Sequence, residues 1–237
     1  MRTLFTWMIA AAISLLAPAI VAIAADKPVL TIYTYESFTS EWGPGPAIET
    51  AFEENCNCDL QFVSLDSSIG ILGRVQLEGA GSKADIVLGL DTNLMATARD
   101  TGLFAPHGTM LAGRTSLPVD FSDDMFVPFD WGHFAFVYNS ETMAQPPVSM
   151  QELVDAPESL RIVIQDPRTA TPGLGLLLWV KSVYGDDAPE AWAKLESKIV
   201  TVTKGWWDAY SMFLEGEADM VLSYSTSPAY HVIAEST

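Results

Sequence analysis

From Val29 onward, apolar strand-like runs alternate with segments of helical period, and that order confines the chain to a layered α/β architecture. Val29–Tyr35 alternates as a β-strand, and Pro44–Asn55 reads as a helix with Ala47, Ile48, Ala51 and Phe52 on one face. Leu60–Leu65 is a second strand, and Ser68–Glu78 a helix carrying Ile69, Leu72 and Val75. Ala84-Asp-Ile-Val-Leu-Gly-Leu90 is a third, buried strand, and Thr92–Thr101 a helix ended by Gly102. A βαβαβα order of this kind predicts a parallel, doubly wound sheet.

Leu103–Asp124 is punctuated by Pro, Gly and Ser and reads as loop. Phe126–Asp130 and His133–Tyr138 are extended, and an α/β pattern then restarts. Its strands are Arg161–Gln165, Val200–Thr203 and Met220–Ser223, and its helices Leu174–Tyr184, Ala188–Lys198 and Trp207–Glu215. Two lobes follow: residues 26–126, then residues 127–237 with the crossover at their start.

Residues 1–25 stand apart. Arg2 is followed by an apolar run from Leu4 to Ala24, interrupted by Thr6, Ser14 and Pro18 and ending in Ala22-Ile23-Ala24. One positive charge, an apolar core and small residues at the −3 and −1 positions make a secretory signal peptide, cleaved after Ala24 or Ala25. Without Arg2, the chain carries 11 basic against 30 acidic side chains, a formal charge of −19. That argues against nucleic acid or an anionic membrane as partner and suits a cationic ligand, although a solvated acidic surface gives the same balance. The two cysteines form Cys56-Asn57-Cys58. An oxidising compartment favours pairing them across a helix-to-strand turn, with metal binding as the rival.

Three loops share one chemical logic. Asp66-Ser67-Ser68, Arg168-Thr169-Ala170-Thr171-Pro172 and Tyr224-Ser225-Thr226-Ser227-Pro228 each join a strand to a helix. Ser67 or Ser68, Thr171 and Ser227 are the expected caps, with Pro172 and Pro228 suited to open their helices. Taken singly, each is an ordinary helix cap. Together they lie at the carboxyl ends of strands, where open α/β sheets gather ligands, and helix N-termini there favour an anion. No GxxxxGK[ST] phosphate loop occurs.

Aromatic residues accompany these loops. Tyr35 ends the first strand, Trp42 and Trp206 sit beside glycines, and Tyr224 and Tyr230 flank the third loop. A cationic ring over such faces gains about 0.5–2 kcal/mol. Of the adjacent pair Trp206-Trp207, one is expected packed and one exposed. Asp91 ends the third strand and Asp130 sits in the crossover, and either can pair with an amine or a cation. As an enzyme, two such carboxylates could do acid–base work, but no GxSxG or HExxH motif and no nucleophile–base pair supports it.

Long segments carry a more specific signal: Tyr33-Thr-Tyr35-Glu-Ser-Phe38, Trp42-Gly-Pro-Gly-Pro46, Cys56-Asn-Cys58-Asp-Leu60, Lys83–Asp91, Val127-Pro-Phe-Asp130, Gln165–Trp179, Tyr184–Pro189, Val202–Trp206 and Leu222–Tyr230. On these the chain resembles the periplasmic thiamine-binding proteins of bacterial ABC transporters, from about Lys27 to Glu235. The resemblance implies a two-lobed periplasmic binding protein fold of type II. Its ligand would be thiamine, thiamine phosphate or thiamine diphosphate, and its partner a membrane permease. It implies no resident cofactor and no catalysis. Carried over by position, the phosphate site would use Ser67, Ser68, Ala170, Thr171, Trp206, Tyr224, Ser225, Thr226 and Ser227, and ring contacts would come from Tyr35, Trp42 and Tyr230. This chain has Ser67-Ser68 where the family can show Asp-Gly, and Ala170 where a Ser can precede Thr171. The family pattern continues past Thr237, so the C-terminal part is expected to be missing and both lobes incomplete. The rival readings are a related binding protein for a polyamine or iron, and a secreted phosphate-ester hydrolase.

N-terminal sequencing of the exported protein is expected to begin at Ala25 or Asp26, and a product retaining Met1 would overturn the signal-peptide reading.

Overall fold

A computed structural model of the chain describes residues 27–109 and 117–235; the signal peptide expected over residues 1–25 lies outside the described residues. The first unit opens with β1 (Val29–Tyr35), followed by the short α1 (Glu36–Thr39) and by α2 (Gly45–Cys56). Then come β2 (Asp59–Leu65), α3 (Ser68–Glu78), β3 (Ile86–Val87) and α4 (Met95–Asp100). The strands form a parallel sheet in the order β2-β1-β3. The first strand is central with its successors on either side, as in doubly wound sheets.

The apolar run at residues 84–90 pairs for less of its length than its composition suggests. Ile86 and Val87 pair in the ladder, the N–H groups of Asp85 and Leu88 add bonds to the Thr31 and Tyr33 carbonyls on either side, and Gly89 then turns the chain at φ 107°. A Cβ at Gly89 would lie 2.7 Å from Cε1 of Tyr35, so this glycine makes room for the Tyr35 ring. The next helix starts at Met95 rather than Thr92, because Asp91 caps a turn first: its carboxylate accepts from the N–H groups of Asn93 (2.8 Å) and Leu94 (3.3 Å).

The second sheet is built from β4 (Phe134–Tyr138), β5 (Ile162–Gln165), β6 (Ile199–Thr203) and β7 (Met220–Tyr224), in the order β4-β7-β5-β6. Strands β5, β6 and β7 run parallel, and β4 joins the edge antiparallel to β7. The doubly wound parallel pattern thus holds for three of the four strands. Its helices are α5 (Met150–Asp155), α6 (Thr171–Tyr184), α7 (Ala188–Glu196), α8 (Trp206–Leu214) and α9 (Ser227–Tyr230). Sequence reading passes over α5, although Ser149 caps it by accepting from the Glu152 N–H at 3.1 Å and Glu152 accepts back from the Val148 N–H. Residues 126–130 form no regular strand.

Strand periodicity assigns the second core to two faces. Ile162, Ile164, Met220 and Leu222 point to one side and pack with Leu176 and Val180 of α6 and Leu195 of α7. Val163, Val221 and Val137 point to the other and meet Ala209 and Tyr210 of α8. The first sheet has a smaller core in Tyr33, Ile71 and Val75. The predicted apolar face of α2 is left exposed among the described residues, with Phe52 at 43 %. Cys56 and Cys58 form a disulfide, and Asn57 between them takes the left-handed conformation at φ 52°.

Helix α6 approaches β5 closely because Gly173 has no side chain: a Cβ there would sit 2.7 Å from the carbonyl carbon of Asp166, a backbone atom that cannot swing aside. Gly173→Ala is therefore expected to destabilise the fold by about 1–3 kcal/mol, read as a lowered midpoint in urea unfolding; an unchanged midpoint would show that α6 can shift at no cost.

Candidate functional site

Strand ends bring the named loops together. The segments after β1, β2, β3, β5, β6 and β7 all leave the carboxyl edges of their sheets, and those edges meet. Ser67 stands at the N-cap of α3 as expected, with its hydroxyl oxygen accepting from the Gly70 N–H at 3.1 Å. It is buried and fully engaged, because its own proton goes to Asp66 Oδ1 at 3.1 Å.

Two of the expected caps are corrected. Ala170, not Thr171, occupies the N-cap of α6, which leaves Thr171 as the first helical residue with a hydroxyl that crosses to the other sheet. Its Oγ1 donates to Asp91 Oδ2 at 2.6 Å and lies 3.1 Å from Ser68 Oγ. Likewise Thr226, not Ser227, is at the N-cap of α9, and Ser227 Oγ instead lies 2.7 Å from Ser223 Oγ. In both cases a partner across space outcompetes the local backbone N–H.

The consequence is that α6, α8 and α9 begin with no side-chain cap. The first-turn N–H groups of a helix have no partner within it, so α6 and α8 present open donor ends. Ala170 is buried at one of these ends and Gly205 precedes Trp206 at the other. Ser225 and Thr226 are exposed, with the Ser225 N–H bound to the His133 carbonyl at 2.9 Å.

Aromatic side chains form the other wall. Trp42, in the loop between α1 and α2, has its ring centroid 5.3 Å from Trp207, 6.0 Å from Trp206 and 6.1 Å from Tyr230. Trp42 therefore spans from the first sheet's elements to those of the second. Trp206 is the packed member of the tryptophan pair: it stacks on Tyr210 and its indole N–H donates to Ser223 Oγ at 2.8 Å. That indole proton is thus already committed, and only the backbone of Trp206 remains to meet an anion. Trp207 is 44 % exposed and joins the cluster, although sequence reading gave it no site role. The Gly205-Trp206-Trp207 doublet held the signal, but nothing in it says which ring faces Trp42.

Tyr35 and Tyr224 line the interior. Burial, followed by the nearby Asp130 carboxylate, pushes the Tyr35 hydroxyl up to about 12. Tyr224 packs its ring on Phe134 at 5.4 Å, and burial with the charges of Tyr35, Asp130 and Asp91 pushes its hydroxyl up further still. Both phenols therefore stay protonated and able to donate. Asp130 is exposed as a residue, yet the packing around its carboxyl raises its pKa by desolvation.

The cations of these loops are both spent. Arg168 bonds Asp166 within its own loop and holds that carboxyl down to about 2. Lys204, just before α8, pairs across the cleft with Asp66, just after β2. Among the described residues no group of three or more His, Cys, Asp or Glu could hold a metal ion.

Two α/β sheets meeting at their carboxyl edges, with open helix ends and aromatic rings between them, define a solute-binding protein. The chain belongs to the bacterial extracellular solute-binding proteins, whose family model matches residues 37–235. It is 56 % identical over 209 residues to the thiamine-binding periplasmic protein of Escherichia coli K12, covering 88 % of this chain and 64 % of that one. It is 54 % identical over 235 residues to the thiamine-binding periplasmic protein of Brucella abortus, covering 99 % of this chain and 69 % of that one. A solved periplasmic thiamin binding protein superposes with a TM-score of 0.86 at 56 % identity, over 89 % of this chain and 66 % of the solved chain. The chain thus spans roughly two thirds of the length of these relatives.

The Lys204–Asp66 pair carries a pH signature. Its hydrogen bond with Lys204 holds the Asp66 carboxyl below its ordinary value. A lowered carboxylate stabilises the lobe contact above the ordinary carboxylate range, and the contribution is lost as pH falls through the lowered value. Lys204→Met is expected to enlarge the radius of gyration at pH 7 in small-angle scattering, with the difference shrinking in acid and at high salt. Equal radii at pH 7 and low salt would show that this pair does not hold the lobes together.

Proposed function

We propose that this protein captures thiamine, thiamine phosphate or thiamine diphosphate in the periplasm and hands it to the membrane permease of an ABC transporter. The observation that carries the reading is the pairing, in one cleft, of the Trp42–Trp206–Trp207–Tyr230 ring cluster with the open N-termini of α6 and α8. Thiamine offers a flat cationic thiazolium and a second aromatic ring, and its esters add a phosphate. Those groups match the two kinds of wall. The names of the relatives at 54–56 % identity support the same ligand.

The chemistry is binding without bond breaking. The thiazolium lies against the aromatic rings, where each well-placed face contributes about 0.5–2 kcal/mol. The phenols of Tyr35 and Tyr224 donate to acceptor atoms of the ligand, and the acidic balance of the chain attracts its cation. Any phosphate is held by backbone N–H groups at the helix ends. Differential affinity for the closed arrangement drives lobe closure. Thiamine is cargo here and not a resident cofactor. A polyamine would need several carboxylates spaced along a linear chain, and iron would need tyrosines converging with His or carboxylate. Tyr224 packs on Phe134 while Tyr230 packs on Trp42, which does not favour the iron reading.

Isothermal calorimetry of the full-length protein with thiamine is expected to give a 1:1 complex, with thiamine diphosphate recovered intact after incubation. Trp42→Ala should weaken binding by about 3- to 30-fold, the equivalent of one cation–π contact. No heat of binding below the millimolar range would overturn the ligand assignment, and release of phosphate would overturn the non-enzymatic one.

A further inference from the structure

The hydroxyl group of Thr171 has one proton and two neighbours. Asp91 Oδ2 is at 2.6 Å and carries charge, whereas Ser68 Oγ is at 3.1 Å and is neutral. In both contacts Thr171 is the donor, and its single proton goes to the short contact with the carboxylate rather than to the longer one with Ser68. The Thr171 proton is thereby directed toward the Asp91 carboxylate. Asp91 is itself held by the N–H groups of Asn93 and Leu94 on its other oxygen, so it cannot swing away without breaking that turn. No Lys or Arg among the described residues pairs with it, in contrast to Asp66 and Asp166.

We propose that Asp91 is the residue that sets the preference among thiamine and its phosphates, by its own charge and by holding the Thr171 hydroxyl proton away from an anion in the cleft. The inference rests on the thiamine reading above. Both hydroxyls lie at helix starts where a phosphate would sit: Ser68 opens α3 and Thr171 opens α6. A phosphate entering there must either take the Thr171 donor from a carboxylate or do without it, and in both cases it sits near a negative charge that no Lys or Arg among the described residues pairs. Unphosphorylated thiamine meets neither cost, and its cation gains from the same charge. Asp91 therefore biases the site toward thiamine.

The test is a double-mutant cycle read by calorimetry with two ligands, thiamine and thiamine phosphate, on the full-length protein. Asp91→Asn keeps an oxygen for the Asn93 and Leu94 turn but removes the charge. It should raise the affinity for thiamine phosphate relative to thiamine by about tenfold, a 1.4 kcal/mol change in the ratio. Thr171→Val alone should leave that ratio within about twofold, because the hydroxyl is already committed to Asp91, and should cut the Asp91→Asn gain to below about threefold. A purely structural role for Asp91 would weaken both ligands together and leave the ratio unchanged, which overturns the proposal. Loss of thiamine phosphate affinity in Thr171→Val with Asp91 intact also overturns it, since the hydroxyl would then already serve the phosphate. If Asp91→Asn does not fold, the wild-type protein keeps the proposal falsifiable: tighter binding of thiamine phosphate than of thiamine would overturn the bias toward thiamine. Failure of the wild-type protein to bind thiamine at all would instead sink the ligand assignment, and this inference with it.

Discussion

A parallel strand followed by a helix delivers the helix N-terminus to the carboxyl edge of the sheet, and everything in the cleft depends on that geometric constraint. Here it acts twice, on the sheets β2-β1-β3 and β4-β7-β5-β6. Strand ends project Tyr35, Asp66, Asp91, Asp166, Lys204 and Tyr224 toward one gap, and α3, α6 and α8 begin there. The Thr171–Asp91 and Lys204–Asp66 contacts tie the two edges together. The cores behind them serve mainly to hold these edges in place, with Gly173 letting α6 sit close enough on β5 for Thr171 to reach across.

Electrostatics gives the cleft its character. Four carboxylates, Asp66, Asp91, Asp130 and Asp166, border it, and its nearby cations are paired: Arg168 with Asp166, Lys204 with Asp66. A ligand's positive ring thus finds charge and aromatic faces, whereas a negative group finds dipoles rather than a cation. Binding an anion through neutral N–H groups is workable because those groups lack partners within the helix. It also makes the local disposition of hydroxyl protons matter more than it would beside an arginine.

Much of this was legible in residue order. The strand and helix periods located nearly every element that supports the cleft, and the turn-rich strand ends pointed to Ser67, Ser68, Thr171 and Tyr224–Ser227. Three misreadings share one physical cause. Thr171 and Ser227 resemble caps by local rule, yet each hydroxyl is drawn to a partner remote in sequence or back across the strand-to-helix turn. Helix α2 has the period of a buried face, but burial depends on what covers it, and Phe52 stays exposed among the described residues. Trp207 differed from Trp206 by nothing that sequence displays. Only the direction of α8 decides that Trp206 stacks on Tyr210 while Trp207 turns outward toward Trp42.

The sequence by itself determined the α/β class, the strand ends that would carry function and the family pattern, because period, turn chemistry and long matching segments are local properties of the chain. Only the tertiary structure decided which donors are free. Whether a hydroxyl caps its own helix, answers a carboxylate 80 residues away or faces a ligand depends on distances between elements that no local rule encodes. That is why Asp91, a plain strand-end carboxylate in sequence, becomes the group around which the cleft's hydrogen bonds are arranged.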